Sequence, residues 1–386
     1  MAHIFEKRHI SYFKQLKKKT PFQKNERFMN LHPIVSIFEG FSIQKEEVCK
    51  KLKGMMRLYA KEFSFSKRYH KLRALKNRLP DTHTQWPKVA LECSNEEAGQ
   101  LGEKSIGFHL DMLSNSKYYI FHYLRLQHGK YYFQMDYFIL CASFALILEV
   151  KNMGGELRFD GDFNQMTQIK RSTKKRRKNP VLQARLQAKK LKCWLEEQNF
   201  PEIPIHYLFV NSNEDTEIIS DGENELVNRN SCNSEGLIDK IEQIEKYYTT
   251  DILDTKELKK LKKLLLEKHT PENPDILQEF GISPKELIPG VQCPNCKAFS
   301  MKYKSTAWYC SKCAHKSKTA FIQAINDYLL LVKLSITNLE CRELLDIPSR
   351  KVVHRLLNSM ELAYSGTNKG RIYYQSSSDI QNWPAP

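Results

Sequence analysis

Apolar positions along the chain follow two spacings, one typical of strands and one typical of helices. Strand-like runs of apolar residues cover residues 130–140, 144–151 and 205–211. Helical patterns cover residues 45–65, 68–78, 95–112, 181–197 and 238–268. Pro180 stands at the head of the fourth of these helices, where its missing N–H costs nothing. The middle of the chain is therefore expected to combine strands with helices.

Polar and proline-containing segments separate these elements into regions. Pro80 and Pro87 bracket a polar break, which suggests a first boundary. The stretch 212–235 is rich in Asn, Asp, Glu and Ser and is expected to be a loop. The expected regions are a basic helical N-terminal region (1–85), a central domain (86–215), a polar loop and helical linker (216–290), a cysteine-containing module (291–316) and a C-terminal domain (317–386).

The sequence has no segment typical of membrane or secreted proteins. Its 386 residues are enough for two or three domains, each with its own core. It lacks a run of about eighteen apolar residues, and residues 1–19 are polar and basic. We therefore expect no membrane span and, by default, a cytoplasmic location.

Positive charge exceeds negative charge and is clustered. The 61 Lys and Arg residues against 44 Asp and Glu give a formal net charge of +17. This surplus favours nucleic acid as a partner, because each phosphate contact releases condensed counterions; the alternative is a protein that is merely basic. The basic run 170–178 either adds phosphate contacts or is a solvated, mobile linker. Its candidate contacts are Lys174, Lys175, Arg176 and Arg177.

A hairpin over residues 132–151 predicts that two acids and a lysine converge. Asp136 lies among apolar residues, where an unpaired carboxylate is costly to bury. Side chains alternate along a strand, so Glu149 and Lys151 share one face. A strand, a turn and a return fit between Asp136 and Glu149. The alternative is an edge hairpin with a surface Glu–Lys pair and an exposed Asp.

Two carboxylates beside a lysine are the groups expected around a divalent cation. Mg²⁺, or Mn²⁺ in its place, takes a few protein oxygens and keeps part of its hydration shell. Such a metal would bridge a scissile phosphate, lower the pKa of a bound water and stabilise developing charge. Lys151 would orient or deprotonate that water, with a pKa depressed by its cationic neighbours.

Further motifs around this hairpin occur in the order found in a known family. They are Glu103 within Gly-Glu-Lys, Gln134-Met135-Asp136, Glu149-Val150-Lys151-Asn152 with Gly154-Gly155, and Asn179-Pro180-Val181 with Gln183. Together they resemble the NERD (nuclease-related) domain, a branch of the PD-(D/E)xK nuclease superfamily, over about residues 95–212. The resemblance implies a three-layer α/β core of the restriction-endonuclease type, with a mixed sheet flanked by helices.

The resemblance also implies roles for single residues. The implied catalytic residues are Asp136, Glu149, Lys151, Glu103 and Gln183. Among them the three acids would hold the metal, with Glu103 pointing at it from the first helix, and Gln183 would lie on the helix behind the triad. Two features depart from the family, namely a hairpin turn without glycine at 141–143 and a longer basic run at 170–178. Neither departure touches the triad.

Four of the ten cysteines form two Cys-x-x-Cys motifs, and the other six are scattered. The paired residues are Cys293, Cys296, Cys310 and Cys313. Thiolates at this spacing bind Zn²⁺ tetrahedrally, and four of them leave no position for water, so the site is expected to be structural. In a chain without a signal peptide, metal binding is favoured over a pair of redox dithiols. With Trp308 and Tyr309 nearby, the segment resembles a small zinc ribbon.

The last seventy residues have the outline of a helix-turn-helix followed by a hairpin. A helix over 322–334 is followed by one over 339–345, capped by Asn338, and a third over 349–357. Segments 361–364 and 371–374 can then pair across a loop, so the region resembles a winged helix. Candidate nucleic-acid contacts are Arg350, Lys351, His354, Arg355, Lys369 and Arg371. The alternative is a helical domain used for protein contacts.

These features together predict a metal-dependent nuclease, a hydrolase that cleaves phosphodiester bonds in DNA or, with less support, RNA. The zinc ribbon and the winged helix would position the substrate. One rival hypothesis is a DNA-binding regulator or scaffold with a vestigial nuclease fold. Another is a factor that binds or processes RNA.

Overall fold

The computed structural model describes residues 59–114, 116–220 and 224–375. The expected helix over 45–65 lies outside this part of the chain, except for residues 59–65, where Tyr59–Lys61 forms a strand and residues 62–65 are not helical. Among the described residues, no helix combines the length and the apolar composition needed to cross a membrane.

Ten strands form the two larger sheets. They are β1 (Tyr59–Lys61), β2 (Tyr119–His128), β3 (Tyr131–Leu140), β4 (Ala145–Lys151), β5 (Gly155–Phe159), β6 (Met166–Lys170), β7 (Thr173–Arg177), β8 (Ile205–Asn211), β9 (Thr216–Ser220) and β10 (Ser231–Asn233). The central sheet has the order β1-β2-β3-β4-β8-β10. The strands β2, β3 and β4 are antiparallel, whereas β8 is parallel to both β4 and β10. The predicted mixed sheet is therefore confirmed.

Helices cover both faces of the central sheet. The helices up to the cysteine motifs are α1 (Lys67–Arg78), α2 (Trp86–Leu110), α3 (Pro180–Glu197), α4 (Glu225–Asn230), α5 (Leu237–Tyr247), α6 (Thr255–Lys268) and α7 (Ile276–Phe280). Ile106 of α2 and Ile241 of α5 pack into one apolar core with the sheet. Trp194 of α3 and Leu265 of α6 pack into a second core with it. This arrangement of helices around a mixed sheet confirms the α/β fold class.

The second sheet, in the order β7-β6-β5-β9, corrects two expectations about loops. The basic run 170–178 is not a loop, because Thr173–Arg177 pairs antiparallel with β6. The stretch 212–235 contains β9, α4 and β10. Both segments consist mostly of polar residues, so their strands lack the apolar alternation by which a sequence reveals a strand. Backbone pairing with neighbouring strands forms them.

The C-terminal part combines short strands with three helices. Its elements are β11 (Met301–Lys304), β12 (Ala307–Cys310), β13 (Lys316–Ser317), α8 (Ala320–Leu331), β14 (Ser335–Thr337), α9 (Asn338–Leu345), α10 (Arg350–Asn358), β15 (Ala363–Ser365) and β16 (Ile372–Tyr374). Thr337, not Asn338, caps α9, through a capping box with Glu340. Trp308 and Leu357 belong to one apolar core, so residues on both sides of position 316 pack together.

Residues before position 86 also contribute to the core. The strand β1 joins the central sheet by pairing in parallel with β2. Tyr69 and Leu72 of α1 pack with Phe280 of α7 and Leu330 of α8. The N-terminal side of the expected boundary at 85 is therefore connected to the central sheet and to the C-terminal helices.

Candidate active site and cysteine cluster

The two acids and the lysine meet where β3 and β4 separate. Backbone pairing between these strands runs from Leu140 and Ala145 to Tyr137 and Leu148. Beyond it, the backbone N–H of Val150 donates to Asp136 Oδ2 at 2.9 Å. The carboxylate therefore satisfies a backbone donor that lies beyond the paired part of β3 and β4.

Asp136 also lies where the alternation of side chains changes phase. Phe138 of β3 packs in the same apolar core as Met135, three residues away, and Phe121 of β2 packs there with Leu124. In a regular strand, residues three apart point to opposite faces. The change occurs at Asp136 and at Tyr123, whose φ of 53° lies in the left-handed region. Because of this irregularity, Asp136 is not part of the apolar core in which Met135 and Phe138 pack.

Glu149 and Lys151 form an ion pair at the end of β4. Glu149 is almost fully buried, with 1% of its surface exposed, whereas the Lys151 side chain keeps about a third of its surface. This pair confirms that residues two apart on β4 share a face. The ammonium therefore neutralises one of the buried acids directly.

Glu103 approaches the same site from α2. Its Oε2 lies 2.7 Å from Nε2 of the buried His122. A Cβ on the preceding residue, Gly102, would lie 2.5 Å from Ser212 Oγ and 2.7 Å from Asn152 Cβ. Only glycine fits there, so the helix can pack directly on the ends of β4 and β8. The sequence indicated Glu103 but not this close approach.

Burial and mutual repulsion favour the protonated forms of all three acids. Burial raises the pKa of Asp136 to about 7, and the negative charge of Glu103 adds to this effect. Burial likewise raises the pKa of Glu149 to about 8, with a further contribution from Asp136. The pKa of Glu103 rises to about 8, again mainly through burial. The positive charge of Lys151 lowers all three pKa values but does not offset burial and mutual repulsion.

The pKa of Lys151 is set by burial and by its acidic neighbours. Burial lowers this pKa, but the carboxylates of Asp136 and Glu149 outweigh burial and raise it above its ordinary value. The side chain is a stable ammonium and not a base in this state. The depression expected beside a bound metal and a phosphate stays a prediction.

The carboxylates are close enough to influence one another but do not form a compact ligand set. Among the described residues, the one group of three or more His, Cys, Asp or Glu side chains whose ligand atoms all lie within 4.8 Å of one another consists of four cysteines. Gln183 lies in the first turn of α3, which Asn179 caps by accepting from Val181 N at 2.9 Å. In the described part of the chain, the Gln183 side chain makes no hydrogen bond with the triad.

His122 is a residue that sequence reasoning missed. Its ring is fully buried, and its Nδ1 accepts from the backbone N–H of Ser64 at 3.4 Å. Burial lowers the pKa of His122 to about 3, so the ring is neutral. With Nδ1 accepting, the proton lies on Nε2 and donates to Glu103. A histidine inside an apolar strand was the available signal.

The four predicted zinc ligands come together as expected. The Sγ atoms of Cys293 and Cys313 are 3.7 Å apart, and those of Cys296 and Cys310 are 3.6 Å apart. A tetrahedral site with Zn–S bonds of about 2.3 Å requires sulfur separations of about 3.8 Å. The hydroxyl of Ser300 lies 3.1 Å from Cys310 Sγ and is the main cause that lowers the pKa of this thiol to about 6. The donor set and the spacing therefore fit a four-cysteine metal site.

The basic candidates fall into two groups. Lys174, Lys175, Arg176 and Arg177 are all exposed on β7. All four candidates on α10 are exposed, and two of them also form side-chain hydrogen bonds within the protein. His354 Nδ1 lies 3.1 Å from the hydroxyl of Tyr373, and Arg355 donates to the hydroxyl of Tyr303.

The expected wing is formed by β15 and β16, which pair antiparallel. The guanidinium of Arg371 lies over the ring of Tyr364, with its carbon 4.2 Å from the ring centroid. The side chain of Lys369 lies outside the described part. The order of helices and strands supports the winged-helix prediction, which stays a prediction.

Comparisons with known proteins bear on the central region. Residues 98–212 match the model of the family described as "Nuclease-related domain" (NERD). Neither the comparison with curated proteins nor that with solved structures found a match. The matched range includes Glu103, Asp136, Glu149, Lys151 and Gln183, and it excludes β1 and the cysteine cluster. The sequence motifs predicted this match, and it is confined to residues 98–212.

Proposed function

We propose that this chain is a metal-dependent nuclease that hydrolyses phosphodiester bonds in DNA. The observation that carries the proposal is the accumulation of three carboxyl groups, two of them buried and one half-buried, around the ammonium of Lys151 at the end of β4. Buried charge of one sign is costly unless a counter-charge compensates it. A divalent cation and a phosphodiester are the partners that such a site can use.

The donor set fits Mg²⁺ or Mn²⁺. Asp136 and Glu149 would hold the ion, and Glu103 would complete the site from α2, since hard cations take carboxylate oxygens. When bound, the ion supplies Lewis acidity at the scissile phosphate and stabilises charge in the transition state. Because the ligand oxygens of these three acids do not all lie within 4.8 Å of one another, metal binding requires local side-chain rotation.

Lys151 has a role that follows from its charge. As an ammonium beside the acids it donates hydrogen bonds, so it would orient the attacking water and contact a phosphate oxygen. Gln183 would support this site from α3. The four cysteines would hold a structural Zn²⁺, since all four ligand positions are taken by protein sulfur.

Cleavage of a supercoiled plasmid tests the proposal. With Mg²⁺ or Mn²⁺ present, the wild type should nick or linearise the plasmid, and Asp136→Asn and Lys151→Ala should each lose at least about a hundredfold in rate. Asp162→Asn is the matched control, because Asp162 is an exposed acid of the same domain. Equal rates for the wild type and the two site variants would overturn the assignment.

A second candidate function is DNA binding without cleavage. Two features favour it. The oxygens of the acidic side chains are too far apart to bind one metal ion together, and Lys151 already forms an ion pair with Glu149. In that case DNA binding would persist in Asp136→Asn, and neither metal would support cleavage by the wild type. Binding of RNA hairpins compared with duplex DNA across a salt series separates an RNA factor from both.

A further inference from the structure

The hairpin of β6 and β7 has two chemically different faces. Residues opposite each other in adjacent strands share a face. The face that we call the front face carries Met166, Gln168, Lys170, Thr173, Lys175 and Arg177. The opposite face, which we call the back face, carries Thr167, Ile169, Lys174 and Arg176. Residues 166–178 contain seven Lys and Arg and no Asp or Glu, so both faces are basic.

The front face is concave, and its exposed charges are all positive. It forms an open depression of about 410 Å³. The lining residues are Gln168, Lys170, Arg171, Thr173, Lys175 and Arg177. On the back face, Glu156 of β5 lies opposite Ile169 and forms an ion pair with Arg158. The acidic neighbour of the hairpin is therefore on the back face.

Hydrogen bonds connect the front face to the strand of the candidate active site. Arg177 Nε donates to Gln168 Oε1 at 3.0 Å, and Gln168 Nε2 donates to the carbonyl of Gly154 at 2.8 Å. Gly154 follows Lys151 by three residues. At Gly155, φ is 92° and a Cβ would lie 2.4 Å from the carbonyl oxygen of Ile169, so only glycine allows the hairpin to approach this closely.

The basic side chains of the front face are available for a ligand. Lys175 and Arg177 form no ion pair with any described residue, and both are exposed. Side chains two apart on a strand are separated by about 6.6 Å, so they form a row along the depression. A row of unpaired cations in a concave surface is suited to an extended polyanion.

We propose that the front face binds the phosphate backbone of the DNA that enters the active site, with Lys175 and Arg177 as its main contacts. This inference rests on the proposed function for the identity of the polyanion. The back face, with Lys174 and Arg176, makes no comparable contact. The contacts are to phosphate, so they contribute affinity and orientation rather than sequence preference.

The hairpin offers a charge-matched test. Binding of a short labelled DNA duplex is measured by fluorescence anisotropy across a KCl series, without divalent metal, in the full-length protein. Lys175→Gln/Arg177→Gln should weaken binding by about tenfold or more and reduce the slope of log K against log salt by about 1.8, since each phosphate contact contributes about 0.9. Lys174→Gln/Arg176→Gln removes the same charge from the same strand and should change affinity less than about threefold.

Two outcomes would overturn the inference, namely an equal loss in both double variants or no loss in either. If the front-face variant loses thermal stability, Lys175→Gln compared with Lys174→Gln decides, because neither lysine makes a side-chain hydrogen bond with a described residue. The result is independent of cleavage. If DNA binding shows the face-dependent loss but no DNA is cut, this inference holds and the nuclease assignment fails. If DNA is cut but the two double variants bind DNA equally well, this inference fails and the nuclease assignment holds.

Discussion

Arg78 at the end of α1 donates from Nε to Asp327 Oδ2 of α8 at 2.7 Å, across 249 residues of sequence. Both side chains are buried, with 5% and 4% of their surface exposed. The same guanidinium donates to the carbonyls of Ile288 and Gly290, just before the first cysteine motif. One side chain therefore connects the N-terminal helix, the approach to the cysteine cluster and the C-terminal helices.

Removing one member of this buried pair should be strongly destabilising. Asp327→Ala leaves the Arg78 guanidinium buried without its counter-charge, and we expect the free energy of unfolding to fall by about 3–5 kcal/mol in urea titrations. Asp346→Ala is the control, because it removes an exposed ion pair with Lys302, in which the side chains keep 75% and 64% of their surface. Similar losses in the two variants would contradict the role assigned to the buried pair.

Asp136→Asn should make the metal-free protein more stable while removing its response to metal. The substitution keeps an acceptor for the Val150 N–H and removes a carboxylate that burial and Glu103 disfavour. We expect a gain on the order of 2 kcal/mol at pH 8. Thermal unfolding with and without Mn²⁺ measures both effects. A destabilised variant, or one that Mn²⁺ stabilises as much as the wild type, would be inconsistent with a carboxylate metal site.

The three acids of the site should lower the stability of the metal-free protein as pH rises between about 6.5 and 8.5. Asp136, Glu149 and Glu103 have pKa values near 7, 8 and 8 in the folded chain, all above their ordinary values. Groups with raised pKa contribute stability below the unfolded pKa and lose it as pH rises through the folded pKa. Cys310 and Lys61, whose pKa values are lowered to about 6 and about 8, contribute the opposite slope, so the share of the acids is measured as the difference between the wild type and a variant.

Unfolding midpoints of the wild type and Glu149→Gln across this pH range test the assignment. The variant should show a shallower decline, because one of the three titrating acids is gone. A decline of the same steepness in both proteins would assign the pH dependence to other groups.

His122 should control the affinity for metal through Glu103. Loss of its Nε2–H leaves the Glu103 carboxylate unoriented, and we expect His122→Phe to bind Mn²⁺ about 10–100-fold more weakly in calorimetric titrations. His122→Gln retains a donor and should recover part of this affinity. His206→Phe is the control, since His206 lies on β8 of the same sheet and its ring packs on Tyr248. If the two phenylalanine variants bind Mn²⁺ equally, His122 is only a packing residue.

Loss of the proposed zinc ion should unfold more than the cysteine segment. Trp308 beside the cluster shares one apolar core with Ile325 of α8 and Leu357 of α10. Cys296→Ser or treatment with a chelator should therefore release zinc and abolish amide-exchange protection in α8–α10 as well as in β11 and β12. Cys193→Ser, at an exposed cysteine, should change neither. Protected helices after zinc release would show that the two parts fold independently.

Local patterns allowed much of the candidate site to be predicted. The apolar surroundings of Asp136 and the Glu-x-Lys spacing on β4 indicated converging side chains, and the structure brings those residues together. The pair of Cys-x-x-Cys motifs predicted a cluster that forms as expected. These predictions succeeded because the residues involved are close in sequence or are joined by a short turn.

Other features could not be predicted because no local pattern encodes them. The strand β7 is as polar as a loop, and it forms through backbone bonds with β6. At Tyr123 and Asp136 the side chains of β2 and β3 change faces, but the pairing between the two strands stays in register. No inserted residue therefore marks this change in the sequence. The raised pKa of Lys151 depends on how many carboxylates surround it, which spacing alone does not give.

The sequence by itself determined the strands and helices with a clear apolar pattern, the spacing of the four cysteines and the match of residues 98–212 to a family model, because these depend on the order of neighbouring residues. The tertiary structure decided the contacts on which stability and the candidate chemistry depend. Glu103 obtains its partner His122 from β2, and Arg78 obtains Asp327 from α8. Such pairs form because burial leaves charged groups without water, so each must find a partner wherever the fold brings one within hydrogen-bonding distance.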